Sequence, residues 1–372
     1  MATMKKFINS LLLISSFLSL LLHCHAKCSY DAIYNFGDSI SDTGNLIRDN
    51  LVGEFSPFAH NPYGESIFDK IPTGRCSNGL LMIDFIAGEL NLPFLNPYLV
   101  KNASFDHGAN FAVAGATAID TVTLLEKFIL SPLTSSSLHV QLNWFKYHLN
   151  SICHNETECR GRLENALFMA GEVGGNDIMY ALVEGKTIQQ VKTLLVPLIV
   201  NSITDAVKSL IDLGATQLVV PGNFAIGCLP VYLTIFKTNN LASYDHNNCL
   251  RNLNKLAMYQ NQYLQKALTS LRLQYPKVVI LYADYYNAHL WLLRQSSVLV
   301  LGFDTNSTLK ACCGSGGDYN FNLLRLCGIM GAPSCSNPDQ YISWDGIHMT
   351  EKAYQFMTEW LLKHLSLFNC TF

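Results

Sequence analysis

Two short segments far apart in the chain carry side chains suited to nucleophilic attack on a carbonyl. Ser39 directly follows Gly-Asp after an apolar run, and Asp345 and His348 lie three positions apart in a loop before the last helical pattern. A serine hydroxyl is a poor nucleophile until a base takes its proton, and that base needs an acceptor to orient it. The spacing predicts Ser39 as nucleophile, His348 as base and Asp345 as orienting group. Taken singly, each segment also fits a turn, a helix cap or a loop histidine.

Two further segments could donate hydrogen bonds to the negatively charged oxygen that forms during such an attack. Asn176 ends a Gly-Gly-Asn sequence directly after an apolar strand pattern, and Gly115 lies in a run of small residues. The backbone N–H groups of Ser39 and Gly115, with the side-chain amide of Asn176, form the predicted oxyanion hole. The alternative interpretations are an ordinary turn at Asn176 and tight helix packing at Gly115.

These segments need a scaffold, and the chain indicates alternating strands and helices. Short apolar or β-branched runs predict strands at residues 32–36, 110–114, 166–170, 217–220 and 278–282. Helical patterns occupy residues 80–90, 188–213, 250–275 and 350–365. This rhythm predicts one three-layer α/β/α sandwich with a mostly parallel sheet of five strands. Ligands of such sheets bind beyond the carboxyl ends of the strands, which is where the chemical segments fall.

Composition fits a folded enzyme-sized domain. Hydrophobic residues make up 49% of the 372 residues and charged residues 14%, which argues against disorder. Length alone permits one large domain or two small ones. Because no repeat and no low-complexity linker divides the chain, residues 27–372 are predicted to form a single domain.

Residues 1–26 have the pattern of a secretory signal peptide. A pair of lysines, Lys5 and Lys6, precedes an apolar stretch, and the small residue Ala26 stands at the expected cleavage point. A membrane anchor is the alternative, but the apolar stretch is short for a span and no basic cluster follows it. The predicted location is the secretory pathway, with the extracellular apoplast or the vacuole as destination.

The net charge of the chain limits the classes of molecule that it is expected to bind. The leader carries two of the 25 Lys and Arg residues and none of the 28 acidic ones, so its removal changes the net charge from −3 to −5. With no run of Lys or Arg, nucleic acid and anionic membrane surfaces are disfavoured, and no stable membrane insertion is expected. A small neutral or cationic molecule is the predicted ligand. The oligomeric state is left open.

Cysteines and sequons agree with an oxidising compartment. One of the 12 cysteines lies in the leader, so 11 remain and at least one is expected to be free. Cys153 and Cys159 are close enough for a local loop. A Gly-rich segment containing no histidine is predicted to be a disulfide-stapled loop rather than a zinc site, and its cysteines are Cys312, Cys313, Cys327 and Cys335. Four sequons predict surface glycosylation, at Asn102, Asn155, Asn306 and Asn369.

Taken in order, the chemical segments resemble the sequence blocks of the GDSL family of the SGNH hydrolase superfamily, in its plant branch. The resemblance covers nearly all of the chain after the leader and includes Pro62-Tyr-Gly and Thr73-Gly-Arg. It implies a five-stranded α/β/α domain of flavodoxin-like type. It also implies that the catalytic set consists of Ser39, Gly115, Asn176 and His348. Asp345 is then the aspartate that supports His348.

The resemblance implies a secreted serine esterase that forms an acyl-enzyme on Ser39 and needs no metal or organic cofactor. Three stretches, including the one that begins at Ser39, are similar to plant esterases of acylated alkaloids, so an acetylated alkaloid is one candidate substrate among small plant metabolites. Many plant members have Phe-Ser-Asp-Gly where this chain has Cys-Ser-Asn-Gly, so no partner is implied for Cys76.

Two other functions stay open at this point. The first is an acyltransferase that uses the same Ser39 acyl-enzyme with an alcohol as acceptor, and the second is a non-catalytic glycoprotein that binds a small ligand. Other chemistries lack their signatures, because the chain has no Gly-x-Ser-x-Gly elbow, no phosphate-binding Gly-x-x-x-x-Gly-Lys loop and no His-Glu-x-x-His zinc motif.

Overall fold

The fold is organised around a sheet of five parallel strands. A computed structural model describes residues 30–296, 301–329 and 331–365. The strands are β1 (Ala32–Phe36), β2 (Gly108–Asn110), β3 (Ala166–Ala170), β4 (Gln217–Pro221) and β5 (Val279–Ala283). Their order across the sheet is β2-β1-β3-β4-β5, and each neighbouring pair is parallel. The five-stranded parallel sheet predicted from the sequence is confirmed.

Continuous apolar sequence explains why the central strands are covered on both faces. Every residue of β1 and of β3 is buried, as expected for parallel strands between two layers of helices. On one face, the Tyr34 ring of β1 lies 5.0 Å from that of Phe145 and 5.3 Å from that of Phe168. Successive side chains of a strand point to opposite faces, so the buried Ile33 belongs to the other layer.

The longer helices flank the sheet in two groups. In chain order they are α1 (Met82–Glu89), α2 (Leu138–Ile152), α3 (Glu156–Glu164), α4 (Gly175–Val183), α5 (Val196–Leu213), α6 (Arg251–Gln274), α7 (Tyr285–Ser296) and α8 (Glu351–Leu365). Helix α5 contacts α2 and α6, whereas α8 contacts α1 and α7. The predicted α/β/α sandwich is therefore confirmed. Shorter helical segments lie in the connections, at Leu46–Asp49, Leu51–Glu54, Thr121–Leu125 and Pro230–Ile235.

Helix α5 is the most apolar long element of the described chain. Together with the turns that precede it, it forms a continuous helix, Ile188–Leu213, that is long and apolar enough to cross a membrane by composition alone. However, 56% of its most apolar window is buried inside the protein. Contacts with α2 and α6 account for that burial, as in the core helix of a folded domain.

The second strand differs from its predicted position. It covers Gly108–Asn110 rather than residues 110–114. The carbonyl groups of Asn110 and Ala112 both accept hydrogen bonds from the side-chain amide of Asn45, each at 2.8 Å. The N–H groups of Phe111 and Val113 still donate to the carbonyls of Asn35 and Gly37. However, the Gly37 N–H donates to Gln141 Oε1 at 2.9 Å instead of to this segment, so the regular ladder ends and the segment continues as a loop towards Gly115.

Helices α2, α3, α4 and α7 were not predicted from the sequence. The beginning of α4 coincides with the Gly-Gly-Asn segment, for which a turn was the alternative interpretation, and α2 buries Gln141 and His148 on its inner face. Polar residues at buried positions blur the hydrophobic periodicity from which helices are predicted.

Among the described residues, four disulfides join the cysteines in pairs. They are Cys153–Cys159, Cys228–Cys249, Cys312–Cys335 and Cys313–Cys327. Cys76 is buried and unpaired. The predicted local loop and stapled loop are both confirmed. The zinc alternative for the second loop is excluded, because its four sulfur atoms form two disulfide bonds.

The strand order creates a crevice between β1 and β3. The chain passes from β1 outward to β2 and then returns to the other side of β1 to form β3, so the strand order reverses at this point. Loops that leave such neighbouring strands diverge, and the space between them is the usual ligand site of an open parallel sheet. Ser39 follows β1 and Asn176 follows β3, so both predicted site residues lie beside this crevice.

Candidate active site

The imidazole of His348 lies between Ser39 and Asp345, although 309 residues separate Ser39 from His348 along the chain. Its Nε2 atom is 2.7 Å from Ser39 Oγ, and its Nδ1 atom is 2.6 Å from Asp345 Oδ2. Ser39 is 7% exposed and His348 is 2% exposed. An imidazole held in this way can take a proton from the hydroxyl while the carboxylate fixes its orientation. The structure thus brings together the three side chains predicted as nucleophile, base and orienting group.

The loop before α8 bends so that Asp345 reaches back to His348. Asp345 Oδ1 accepts the backbone N–H groups of Ile347 at 2.9 Å and His348 at 2.8 Å. Gly346 between them has a φ of +99°, a conformation that glycine adopts without steric cost. The backbone N–H of the fully buried Trp344 donates to the His348 carbonyl at 2.8 Å. These bonds fix the Asp-Gly-Ile-His segment before any substrate is bound.

Asp345 stays ionised although it is buried. Burial raises the pKa of its carboxyl, but the positive charge and hydrogen bonds of His348, with the N–H of Ile347, outweigh that effect and lower the pKa below its usual value. A further donor, the Tyr63 hydroxyl, lies 2.7 Å from Asp345 Oδ2. A carboxylate with this many donors keeps its charge at neutral pH.

Two backbone N–H groups beside the nucleophile have no acceptor among residues 30–365 as described. They belong to Ser39 and Gly115. Nearly all buried backbone N–H groups in proteins are paired, so two unpaired ones at one site stand out. Gly115 has a φ of +83°, and a Cβ there would lie 2.8 Å from the Leu133 side chain. Both its conformation and its neighbour therefore require glycine.

The Asn176 amide bridges the loops that carry Ser39 and Gly115. Its Nδ2 atom donates to Asp38 Oδ2 at 3.1 Å and to the Ala116 carbonyl at 2.9 Å. These two acceptors stand directly before Ser39 and directly after Gly115 in sequence. The amide is thus placed next to both N–H groups, and donation to a substrate oxygen requires it to exchange one of its two present bonds.

The Gly115 loop is fastened from both sides by buried carboxylates. Asp42, three residues after Ser39, accepts the Ala114 N–H at 2.8 Å. Asp177, the residue after Asn176, accepts the N–H groups of Ala118 at 2.9 Å and Ile119 at 3.0 Å. Burial raises the pKa of Asp42, and it raises that of Asp177 to about 7. The aspartates of the two motifs therefore hold the Gly115 loop in place through their hydrogen bonds.

A second carboxyl pair lies on the oxyanion side of Ser39. Asp38 and Glu172 are both buried and hydrogen-bond to each other through their side chains. Burial raises the pKa of Asp38 to about 6, and burial with the Asp38 charge raises that of Glu172 well above its usual value. The pair therefore carries one negative charge and one proton at neutral pH, with Glu172 as the protonated member.

Sequence reasoning missed several residues that build the site. Tyr63 entered the sequence analysis only as part of Pro62-Tyr-Gly, and no role was predicted for Glu172. Gln141 was not noticed, although its amide makes reciprocal hydrogen bonds with Gly37, donating to the carbonyl at 2.8 Å and accepting the N–H at 2.9 Å. None of them belongs to a sequence motif that links it to Ser39. A buried polar residue on an otherwise apolar helix face was the available signal for Gln141.

The three sequons within the described residues are exposed, at Asn102, Asn155 and Asn306, whereas Asn369 lies outside those residues. Their glycosylation stays a prediction. Within the described part of the chain, no group of three or more His, Cys, Asp or Glu side chains is arranged to hold a metal ion.

Residues 33–361 match the family described as GDSL-like Lipase/Acylhydrolase. Acetylajmalan esterase 1 from Rauvolfia serpentina is 47% identical over 335 residues, which cover 90% of this chain and 86% of the relative. A GDSL esterase/lipase from Arabidopsis thaliana is 45% identical over 96% of this chain and 87% of its own length. Sinapine esterase from Brassica napus is 44% identical over 97% of this chain and 92% of its own length.

Proposed function

The chain belongs to the GDSL-like lipase/acylhydrolase family and is a serine-type carboxylic ester hydrolase, and from that premise we propose that Ser39, His348 and Asp345 are its catalytic triad. The observation that carries this proposal is the 2.7 Å contact between Ser39 Oγ and His348 Nε2. Because 309 residues separate Ser39 from His348, their contact depends on the complete fold and not on local chain geometry. Family membership removes the non-catalytic binding protein from consideration.

The proposed reaction has two steps. His348 takes the proton of Ser39 as Oγ attacks the ester carbonyl carbon, and the resulting oxyanion is bound by the Ser39 and Gly115 N–H groups and the Asn176 amide. The tetrahedral intermediate collapses, and His348 gives its proton to the leaving alcohol. Water then loses a proton to His348 and attacks the acyl-Ser39 ester, which releases the acid and restores the hydroxyl.

We further propose an acetylated alkaloid as the substrate. Support comes from the relatives named acetylajmalan esterase, which are 47–48% identical to this chain. The predicted net charge of −5 without the leader favours a cationic ligand over an anionic one. Comparison of kcat/KM for acetylajmalan, sinapine and p-nitrophenyl esters of two to eight acyl carbons tests this proposal. A higher value for sinapine or for a long acyl chain would contradict it.

The chain is also proposed to act in the secretory route, in the apoplast or the vacuole. The predicted signal peptide, residues 1–26, lies outside the described residues, so the support comes from elsewhere. Four disulfides suit an oxidising compartment. Expression with the native leader, followed by N-terminal sequencing and glycopeptide mapping at Asn102, Asn155, Asn306 and Asn369, tests this part.

Replacement of the nucleophile tests the proposed mechanism most directly. Ser39→Ala should keep the fold and lower kcat by about 10⁴- to 10⁶-fold, because the covalent step is lost. A fluorophosphonate probe should label the wild type at Ser39, as read by peptide mass spectrometry, and should not label the variant. An equal Tm in both proteins is the control for folding. Turnover by Ser39→Ala at the wild-type rate would rule out the mechanism.

A further inference from the structure

The carboxylate of the proposed triad has a side-chain partner besides the histidine. The Tyr63 hydroxyl donates to Asp345 Oδ2 at 2.7 Å. This is the same oxygen that faces His348 Nδ1 at 2.6 Å. Oδ1 is taken up by backbone N–H groups, so Tyr63 and His348 are the two side chains that share the other oxygen.

Tyr63 is held firmly at this position. It is 2% exposed, and its ring packs edge-on against those of Phe58, 5.2 Å away, and Trp344, 6.1 Å away. Behind it lie the two disulfides of the stapled loop, whose cysteines share a buried cluster with Tyr63 and Trp344. Phe58 in turn packs edge-on against the His348 ring at 5.7 Å. The hydroxyl therefore reaches Asp345 from a fixed direction.

The hydroxyl remains a donor over the whole working pH range. Burial and the neighbouring charge of Asp345 raise the pKa of Tyr63 well above its usual value. The other titratable groups near Asp345 are Cys76 and Tyr354, and burial raises the pKa of each well above its usual value. Asp38, on the opposite side of His348, also interacts with its charge. Of these neighbours of Asp345, only Asp38 has a pKa raised towards neutral pH, to about 6.

We infer that Tyr63 is a positioning residue of the reaction, which fixes Asp345 Oδ2 and moderates its negative charge so that His348 releases protons at the working pH. The inference rests on the proposed triad. Without the hydroxyl, the charge on Oδ2 is less dispersed and holds a protonated imidazole more strongly. The base then stays protonated to a higher pH, and the carboxylate loses one of its fixed partners.

The test is the pH profile of kcat/KM for p-nitrophenyl acetate, measured on the full chain at constant ionic strength. Tyr63→Phe removes only the hydroxyl and keeps the packing ring. We expect the acidic limb to move up by about 0.5–1 pH unit. We expect kcat to fall about 3- to 10-fold, with KM changed less than twofold.

Tyr354→Phe is the matched control. It removes another buried tyrosine hydroxyl from the same part of the core, and in the described structure that hydroxyl makes no hydrogen bond to Asp345. Its acidic limb should coincide with that of the wild type. An unmoved limb in Tyr63→Phe, or an equal movement in both variants, would overturn the inference.

A second replacement at Tyr63 is expected to move the acidic limb of the pH profile in the opposite direction. It also provides a test if Tyr63→Phe folds poorly. Replacement of Tyr63 by 3-fluorotyrosine makes the hydroxyl a stronger donor, so the acidic limb should move to lower pH. A merely structural role of Tyr63 does not predict that the acidic limb moves in opposite directions when the donor is removed and when it is strengthened. Loss of turnover in Ser39→Ala with an unmoved limb in both Tyr63 variants rejects only the Tyr63 role. Full turnover in Ser39→Ala rejects the proposed function itself.

Discussion

Two buried carboxylate centres lie on opposite sides of Ser39, and they differ in how their charge is held. On the base side, burial raises the pKa of Asp345, but the charge and hydrogen bonds of His348 and the N–H of Ile347 outweigh it and leave the pKa lowered. On the oxyanion side, burial raises the pKa of Asp38 to about 6, and Glu172 keeps its proton. Burial is nearly complete in both places.

The difference shows that the partners of a buried carboxyl, rather than its depth, decide whether it is charged. The base needs a permanent negative charge beside it, because an imidazolium forms during the reaction. The proposed oxyanion hole is favoured by less negative charge nearby, since each ionised carboxylate beside it opposes the developing oxyanion. Sharing one proton between Asp38 and Glu172 keeps that side less negative than two ionised carboxylates would be.

The largest effect is expected where the charge itself is removed. Asp345→Asn leaves a side chain of the same shape but without the negative charge that stabilises the imidazolium, so kcat should fall about 10⁴-fold. Steady-state turnover of p-nitrophenyl acetate with active-site titration measures it. A loss of less than tenfold would mean that the base side does not depend on the Asp345 charge.

A smaller loss is expected on the oxyanion side. Asn176→Ala removes one of three proposed donors and should lower kcat by about 10²- to 10³-fold, with little change in KM. We expect kcat to change and KM to stay nearly constant because the amide binds the transition-state oxygen more strongly than the ground-state carbonyl. An unchanged kcat, measured beside the Asp345→Asn variant, would show that Asn176 serves only to link Asp38 and Ala116.

The smallest effect concerns stability rather than rate. Because the pKa of Asp38 is raised from 3.8 to about 6 in the folded state, the folded protein binds more protons than the unfolded chain between these values. The free energy of unfolding therefore decreases as pH rises through that window. Asp38→Asn removes this dependence, so its Tm relative to the wild type should be higher at pH 7 than at pH 4.

The controls for this comparison come from the other carboxyls. Asp345, with its lowered pKa, adds no decrease over the same window, whereas Glu172 keeps its proton only in the folded state and therefore adds a decrease of the same sign as Asp38. Glu172→Gln preserves a neutral donor to Asp38 but removes the Glu172 contribution, so the part of the decrease that comes from Asp38 should remain. A constant Tm difference between Asp38→Asn and the wild type from pH 4 to pH 7 would contradict the raised pKa.

The sequence predicted the parts of the molecule whose signals are local. Strands β1 and β3 are uniformly buried, so their apolar runs gave exact limits, and long helices such as α6 and α8 were predicted to within one or two residues. The residues of the proposed triad were found because Ser39 follows a strand pattern, Asp345 and His348 lie three positions apart before a helical pattern, and these segments in order resemble the GDSL blocks. The predicted limits of β2 were wrong because the Gly37 N–H donates to Gln141, 104 residues away, instead of to the apolar segment, so the pairing with β1 stops at Asn110.

The supporting residues could not be predicted in the same way. Tyr63 meets Asp345 across 282 positions, and Gln141 meets Gly37 across 104, so no spacing rule connects them. The Asp38–Glu172 pair depends on β1 and β3 being neighbours in the sheet. Such contacts follow from the topology of the complete fold, and they become visible only when the strand order is known.

The separation of nucleophile and base also sets the time at which activity can begin. Ser39 and the first strand are synthesised early, but His348 follows 309 residues later, which at ordinary translation rates of 5–20 residues per second is about 15–60 s. Until α8 has emerged from the ribosome and docked against α1 and α7, the nascent chain holds a serine without its base. Under the proposed mechanism, newly made chains therefore cannot hydrolyse esters during their own synthesis.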